Sequence, residues 1–309
     1  MLRPGRKILG FRPSEWGLHA TLWLLSLFFL YPLFYSVGVI FMNALQFKTV
    51  PPGILPAPHP WDLTNLKTIF HHLVTYDTTR PLQLWLANSV VRVAWFVFWI
   101  SFSSLVMGFV FARMRFPGKN LTFSLLFLTT LLPGVVTFTP TFVMMAHFPL
   151  LGGNDWLGNG GTGLFDSYPA LLVLGMVNIS MVFLVRMSIE AMTSSVEEAA
   201  IMDGAGIGTI LFRIVLPMQR SIFAFIAIMT FMGIWADWFT PFVFNQRTEL
   251  QTIASGIVRS TSSLLSQHAQ PNWPELIGEG VVLNLPCIVI FLAFQKNIVA
   301  GLTSSAVKG

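Results

Sequence analysis

Six apolar segments place the strongest constraint on how this chain folds, because each approaches the length that crosses a lipid bilayer. A bilayer core about 30 Å thick takes roughly 20 mostly apolar residues to cross as an α-helix. The segments lie at residues 18–41, 82–111, 121–147, 168–185, 222–244 and 280–300. The last segment is the weakest, because polar residues from Gln295 onward shorten its apolar part. The pattern predicts an all-α integral membrane protein with six transmembrane helices.

The composition agrees with this interpretation. Hydrophobic residues make up 54% of the 309 residues and charged residues only 10%, whereas a typical soluble domain carries about 25% charged residues. So few charges cannot cover a globule of this size in water. The net charge of +5 does not indicate nucleic-acid binding, because the basic residues flank apolar segments and form no patch interleaved with aromatic residues.

The distribution of lysine and arginine predicts the orientation of the chain in the membrane, since cytoplasmic loops carry the excess of these residues. Residues 1–17 contain four of them and the short connection 112–120 contains three, whereas the connection 148–167 contains none. We therefore expect a cytoplasmic N-terminal segment at 1–17, a transmembrane permease domain at 18–300 and a cytoplasmic C-terminal tail at 301–309. The first apolar segment exceeds a signal-peptide core and precedes no A-x-A site, so it is expected to remain as a helix.

Several chemical classes find no support in the sequence. The glycine-rich stretch 152–163 is not followed by the Lys-Ser or Lys-Thr of a phosphate-binding P-loop, and no GxxxxGK[ST] sequence occurs elsewhere. The single cysteine, Cys287, offers neither an internal disulfide nor a CxxC site. The histidines lack the spacing of a zinc site. We expect no catalytic residue, metal or cofactor on this chain.

The connection at 186–221 predicts a short helix, a glycine turn and a second short helix on the cytoplasmic side. Ser194 or Ser195 is expected to cap the first helix, because hydroxyl side chains accept bonds from free amides at helix starts. Gly204 permits a left-handed turn that other residues resist. Pro217 begins the element that leads back into the membrane.

The first of these short helices has the character of a docking element. Glu197 and Glu198 fall in its first turn, where the helix dipole favours carboxylates. Small residues at Ala199, Ala200 and Ala205 leave little side-chain bulk and suit a helix that seats in a groove of another protein. From the residues alone, an ordinary connecting loop is the alternative.

The same loop resembles the "EAA" signature of permease subunits in binding-protein-dependent ABC importers. The matching residues, at the usual spacing, are Glu198, Ala199, Ala200, Asp203, Gly204, Ala205, Ile214, Leu216 and Pro217. The resemblance implies a type I importer permease fold. It also implies that this loop, 186–221, couples the membrane domain to an ATPase subunit.

Other segments are similar to the carbohydrate-uptake, maltose-permease-like members of that family. These segments are Tyr31-Pro32-Leu33, Asn88-Ser89, residues 112–119, Trp235-Ala236-Asp237-Trp238 and the tail 301–309. The similarity implies that Trp235, Asp237 and Trp238 belong to the translocation path. Ala236 departs from the pattern, because that group usually has asparagine there.

The resemblance also implies the partners and the location. We expect a second permease in a heterodimer, a dimer of ATPase subunits that holds ATP and magnesium, and an extracytoplasmic binding protein that delivers a sugar or oligosaccharide. The chain would lie in the bacterial inner membrane with both termini in the cytoplasm. The alternative is a secondary transporter driven by an ion gradient, which usually shows ionisable residues inside the membrane.

Two residues, Asp237 and Arg92, come near that description. Asp237 lies at the end of an apolar segment, where it could mark the water boundary, line a path or pair with a cation. Arg92 is expected about one turn inside the second segment from its outer end, where a long side chain can reach back to the membrane surface. Neither residue accounts for the signature loop.

Overall fold

The computed structural model describes residues 16–48, 60–78, 80–267 and 270–306, and this part of the chain contains helices and turns but no strand. The helices in chain order are α1 (Trp16–Val39), α2 (Ala44–Phe47), α3 (Thr64–Val74), α4 (Leu82–Arg113), α5 (Lys119–Leu128), α6 (Gly134–Ala146), α7 (Tyr168–Leu172), α8 (Ile179–Glu190), α9 (Ser195–Met202), α10 (Ile207–Thr209), α11 (Leu216–Met218), α12 (Arg220–Ala236), α13 (Phe239–Phe244), α14 (Ile253–Ser266) and α15 (Trp273–Ala306). A π-helical turn, Ile210–Val215, joins α10 to α11. The predicted all-α fold is confirmed.

Within the described residues, three continuous helices are long and apolar enough to cross a membrane. They are α1, α4 and the part of α15 at Trp273–Phe294, and they correspond to the first, second and sixth predicted spans. Three bent helix pairs raise the number of candidate spans to as many as six. The sixth helix is longer than expected, since it begins at Trp273 and continues to Ala306.

The third predicted span is not one straight helix. Helix α5 and the following 3-10 turn end at Leu131, and α6 continues at an angle of 102°. Leu132 between them is extended, with ψ 124°. A residue that precedes proline avoids the helical region because the proline ring clashes with it, and Pro133 follows directly. The expectation of one continuous helix over 121–147 was therefore wrong.

The fourth and fifth predicted spans are also interrupted. Helix α7 ends at Leu172 and α8 begins at Ile179, and Gly175 between them has φ +92°. Helix α8 alone has 12 residues, which gives a length of about 18 Å. The fifth segment breaks at Asp237, which is extended between α12 and α13.

The chain divides into two compact units. The described residues of the smaller unit are 16–48, 60–71 and 270–282. Buried Asn65 organises this unit, because its side-chain amide donates to the carbonyl oxygens of Ile40 and Met42 at 2.9 and 2.7 Å. The Asn65 carbonyl oxygen in turn accepts from the amide of Asn272 at 3.0 Å. One asparagine thus joins α3 to the end of α1 and to the segment before α15.

Helix α1 of the smaller unit has hardly any buried face. Its large apolar side chains are mostly exposed, including Trp23 at 70% and Phe29 at 74%. A helix that is apolar on all sides is stable only where lipid or other helices cover it. This surface agrees with a membrane-spanning helix.

The larger unit is built around α4. Its described residues are 72–78, 80–267 and 283–306. Helices α8 and α12 pack against α4 through buried side chains such as Phe96, Leu105, Val185 and Ile226. Gly108 lets α4 and α8 approach closely, since a Cβ atom there would lie 2.6 Å from Cγ1 of Val185.

We predict that Gly108→Val destabilises the larger unit by about 1–3 kcal/mol, because the added methyl groups force α4 and α8 apart. Gly233→Val is the matched control, since a Cβ at that helical glycine meets nothing within 4 Å. Thermal unfolding of the two purified variants in the same detergent measures the difference. Equal melting temperatures would show that the close approach at Gly108 has no energetic weight.

Candidate functional site

Helix α9 is the first short helix predicted in the 186–221 loop, and it ends in a Schellman motif. Gly204 has φ +82°, its amide donates to Ile201 at 3.0 Å, and the amide of Ala205 donates to Ala200 at 2.9 Å. These two bonds satisfy carbonyl groups that a helix end leaves free. A Cβ at Gly204 would meet nothing within 4 Å. Glycine is therefore required for its backbone conformation and not for space.

The start of α9 differs from the expected cap. Ser194 adopts helical angles, φ −73° and ψ −10°, and its side chain caps no backbone amide. An N-cap residue normally has an extended backbone that lets its side chain reach back to these amides. The Ser194 hydroxyl instead donates to Oε1 of Glu198 at 2.5 Å. The predicted serine cap was wrong, whereas Glu197 and Glu198 do lie in the first turn.

A fork-shaped ion pair fastens α9 to the end of α4. Arg113 Nε donates to Oε2 of Glu197 at 2.8 Å, and its Nη2 donates to Oε1 at 2.9 Å. The same Nη2 donates to the carbonyl oxygen of Met192 at 3.0 Å. Glu197 is only 6% exposed. Two parallel bonds between planar groups fix orientation as well as distance, so α9 is held rigidly to α4.

Sequence reasoning missed this pair. In the sequence, Arg113 contributed only to the prediction of membrane orientation. Glu197 was predicted only to lie beside Glu198 in the first turn of the helix, where the helix dipole favours a carboxylate. The sequence offered two hints of the pair, an arginine at the end of one span and a second glutamate beside the signature. No spacing rule joins residues that are 84 positions apart.

The small signature residues face in two directions. Ala200 and Ala205 are half-buried and pack against the chain's own core, which includes Ile210 and Leu211. Ala199 is exposed. The signature therefore serves internal packing as well as any external contact.

The remaining positions predicted for the loop, Glu198, Asp203 and Pro217, are exposed. Asp203 occupies the C-cap of α9, and Pro217 lies in the first turn of α11, where its missing N–H is tolerated. These placements put Glu198 near the start of α9 and Asp203 at its end.

The outer face of α9 is apolar and uncovered within the described chain. We call this surface the coupling face; it comprises Val196 (46% exposed), Ala199, Ile201 (58%), Met202 (87%) and Ile207 (57%). Large apolar side chains that are exposed together on α9 and at the start of α10 mark a contact with another protein or a membrane.

A second cluster lies at the break between α12 and α13. Arg92 is 2% exposed, and its Nη2 contacts Oδ2 of Asp237 at 2.6 Å. Its Nε donates to the carbonyl oxygen of Leu171 at 3.1 Å, and its guanidinium lies 5.4 Å from the centre of the Phe96 ring. The expected snorkelling of Arg92 was wrong, because a carboxylate and a free carbonyl inside the unit solvate its charge.

The two tryptophans beside Asp237 have different surroundings. Trp235 is 6% exposed, donates to the carbonyl oxygen of Leu283 at 3.1 Å and stacks on Phe231. This arrangement gives Trp235 a packing role between α12 and α15. Trp238 is 44% exposed, so its indole is available to a solute or a partner subunit.

Comparison with known proteins finds relatives that are similar to this chain over almost its whole length. No protein-family model matches the chain. The chain is 28% identical over 287 residues to the sn-glycerol-3-phosphate transport system permease protein UgpE of Yersinia pestis bv. Antiqua (strain Antiqua), with 93% of this chain and 95% of the relative covered. It is 27% identical over 286 residues to the arabinooligosaccharides transport system permease protein AraQ of Bacillus subtilis (strain 168), with 93% of each covered.

A solved structure has the same fold. A bacterial ABC transporter involved in the import of the acidic polysaccharide alginate contains a chain that matches with a TM-score of 0.70 and 18% identity, over 93% of this chain and 98% of that chain. This chain is an ABC importer permease. Such a permease is a multi-pass inner-membrane protein that works with a partner permease, an ATPase and a binding protein. The alternative of an ion-gradient-driven transporter receives no support.

We predict that Glu197→Gln in this permease costs about 2 kcal/mol, because it removes a charged acceptor from the half-buried Arg113 guanidinium. Glu190→Gln is the matched control: Glu190 pairs with Arg186 one helical turn away at 2.8 Å, and such exposed pairs contribute under about 1 kcal/mol. Thermal unfolding and limited proteolysis of the 186–221 loop measure the two effects. Equal effects of the two substitutions would contradict a special role for the Arg113–Glu197 pair.

Proposed function

We propose that this permease pairs with a second, different permease to form the path for a sugar or oligosaccharide, and that its coupling face docks in a cleft of an ATPase subunit. The observation that carries the proposal is the uncovered apolar face of α9, which the Arg113–Glu197 pair and the Gly204 turn hold in a fixed position. A partner must cover this face in the assembled importer.

The proposed substrate class, a sugar or oligosaccharide, rests on a chemical feature that the relatives' solutes share. The relatives' names refer to glycerol 3-phosphate, to arabinooligosaccharides and to alginate, all of which are rich in hydroxyl groups. The segments at Asn88-Ser89 and Trp235–Trp238 also resemble the carbohydrate-uptake permeases. A binding protein outside the membrane would deliver the solute, and the path would include Asp237 and the exposed indole of Trp238. Trp235 would support the path through packing.

Coupling requires a rigid connection, because a flexible loop would absorb the movement of the ATPase. Val196, Ala199, Ile201 and Met202 would seat in the cleft as the apolar contact, with the carboxylates of Glu198 and Asp203 at either end. Movement of α9 would pass through Glu197 and Arg113 directly to α4. The packing of α4 against α8 and α12 would then carry the movement to the helices around the path.

This proposal implies which parts of the chain lie in the cytoplasm and which subunit binds ATP. The coupling face, Arg113 and both chain termini would lie in the cytoplasm. ATP and magnesium would bind to the ATPase dimer, and this chain would supply neither a nucleotide site nor a catalytic residue. The C-terminal tail, 301–309, would reach toward the ATPase pair; residues 307–309 lie outside the described part of the chain.

We predict that Gly204→Val leaves a permease that inserts in the membrane but couples poorly. A β-branched residue at φ +82° costs about 1–3 kcal/mol of strain, which the chain can relieve by tilting α9. Gly206→Val is the matched control, since that glycine has φ −74° and open space around it. Solute uptake and solute-stimulated ATP hydrolysis by the assembled importer measure coupling. Normal transport by Gly204→Val would refute the proposed role of the loop.

Docking itself is tested by photo-cross-linking in a Cys287→Ser background. A benzophenone attached to Ala199→Cys should form an adduct with the ATPase subunit, and the yield should change with nucleotide. Leu157→Cys, on the exposed glycine-rich loop far along the chain from α9, is the control and should form no ATPase adduct. Absence of an Ala199 adduct, or equal adducts at both positions, would count against docking by α9.

A further inference from the structure

A cavity of about 450 Å³ with both polar and apolar lining residues is found at the end of α4 opposite to the coupling helix. Its lining includes Arg80, Trp85, Gln246, Arg259, Ser260 and Ser263. Helix α4 has 32 residues and is therefore about 48 Å long. Trp85 lies at its beginning and Arg113 at its end. The cavity is thus separate from the coupling face, and neither Arg92 nor Asp237 is among its described lining residues.

The cavity has a cationic lining. Arg80 and Arg259 both contribute to its wall, and no acidic residue is found among its described lining residues. Two arginine side chains in one lining give it a positive formal charge, which favours an anion as the bound molecule. The volume falls within the range of about 300–1,000 Å³ that is typical of small-molecule sites.

Arg259 is held in place by neutral partners. Its Nη2 donates to the carbonyl oxygens of Phe242 and Asn245 at 2.6 and 2.9 Å, and its Nη1 donates to Oε1 of Gln246 at 3.3 Å. Its Nε is buried without a hydrogen-bond partner among the described residues. The side chain is therefore oriented, its charge is not cancelled by a contacting carboxylate, and one donor remains unused.

The electrostatics of the surroundings agree with this description. Burial lowers the pKa of Arg259, and the charge of Asp166 opposes that effect. The Asp166 carboxylate accepts bonds from the backbone amides of Gln246 and Arg247, so it is engaged outside the lining. Desolvation of a guanidinium is offset most effectively by a phosphate or carboxylate that accepts two parallel bonds.

The rest of the lining suits a hydroxyl-rich molecule. Gln246 offers an amide, Ser260 and Ser263 offer hydroxyl groups, and Trp85 offers an apolar ring whose own N–H is already bonded to the carbonyl oxygen of Thr248 at 2.7 Å. We propose that this cavity binds the phosphate or carboxylate of a small hydroxyl-rich anion. An anionic lipid headgroup carries the same phosphate chemistry and is separated from a free solute by the experiment.

The test uses the full-length chain assembled with its partner subunits, in nanodiscs of phosphatidylcholine and without a binding protein. Calorimetric titration with sn-glycerol 3-phosphate and with glucuronate should give saturable binding, whereas glycerol and glucose should bind far more weakly. Arg259→Gln and Arg80→Gln should each weaken anion binding about tenfold, since each removes a charge-assisted bond. Neutral solutes that bind as well as the anions would overturn the proposal.

Two further variants separate binding from folding. Ser263→Trp should fill the cavity and abolish binding while leaving both arginines in place. Arg247→Gln removes an exposed arginine next to the cavity but outside its lining, and it should leave affinity unchanged. Binding that survives Ser263→Trp, or that falls equally with Arg247→Gln, would overturn the proposal.

The lipid source is examined with nanodiscs that contain phosphatidylglycerol. A lower apparent affinity of the unsubstituted chain for sn-glycerol 3-phosphate in these nanodiscs would identify the lipid phosphate as an occupant of the same cavity, and an unchanged affinity would identify the free anion. These binding assays do not depend on transport or on ATPase docking. A failure here would therefore leave the proposed function standing, and a failure of coupling would leave this site standing.

Discussion

The need to satisfy every backbone polar group inside a membrane is the constraint on which the larger unit depends. Non-helical backbone at membrane depth is tolerated only where it is buried in protein that offers hydrogen bonds. Three of the predicted spans are broken, and α4 supplies donors to carbonyl groups at the break within the fourth span and in the segment that follows the fifth. The bonds run from Trp85 to Thr248, from Asn88 to Glu249 and Gln251, from Arg92 to Leu171, from Trp95 to Leu172 and from Ser103 to Met176. The polar stripe of α4 thus permits irregular segments that an apolar helix would exclude.

This arrangement also explains why α4 is suited to transmit force. It is continuous over 32 residues, and it contacts the ends of the broken helices through side-chain hydrogen bonds and α9 through the Arg113–Glu197 pair. A displacement of α9 therefore acts on a rigid rod and not on a chain of loops. The Arg92–Asp237 pair lies further along the same rod, where α12 ends. The break at Asp237 is consequently tied to the helix that would carry the movement in the proposed function.

The sequence allowed prediction of the all-α membrane fold, the positions of three continuous spans and the short helix and glycine turn of the signature loop. Length and apolar composition determine the membrane fold and the three spans. Local backbone chemistry at Gly204 determines the short helix and its turn. It did not allow prediction of the bend at Pro133, although proline was visible there, because a proline inside a span can be accommodated as a modest kink or as a full break. It also did not reveal the Arg92–Asp237 and Arg113–Glu197 pairs. These join residues that are 145 and 84 positions apart, and only the packing of α4 against its neighbours brings them together.

Some signature residues pack against the core and others are exposed, and this difference gives a physical reason for the composition of the signature. In a Schellman motif the residues at the two ends of the longer bond, here Ala200 and Ala205, pack against each other or a common surface. Both also lie against the core beside Ile210 and Leu211, so any larger side chain there would push α9 away from the unit. Ala199 and Met202 meet no such limit, since they face outward. Small residues at 200 and 205 are therefore required by this chain's own packing, whereas Val196, Ala199 and Met202 are exposed and would contact the ATPase subunit in the proposed function. One short motif satisfies both demands because Ala199 and Met202 are exposed on α9, whereas Ala200 and Ala205 pack against the core.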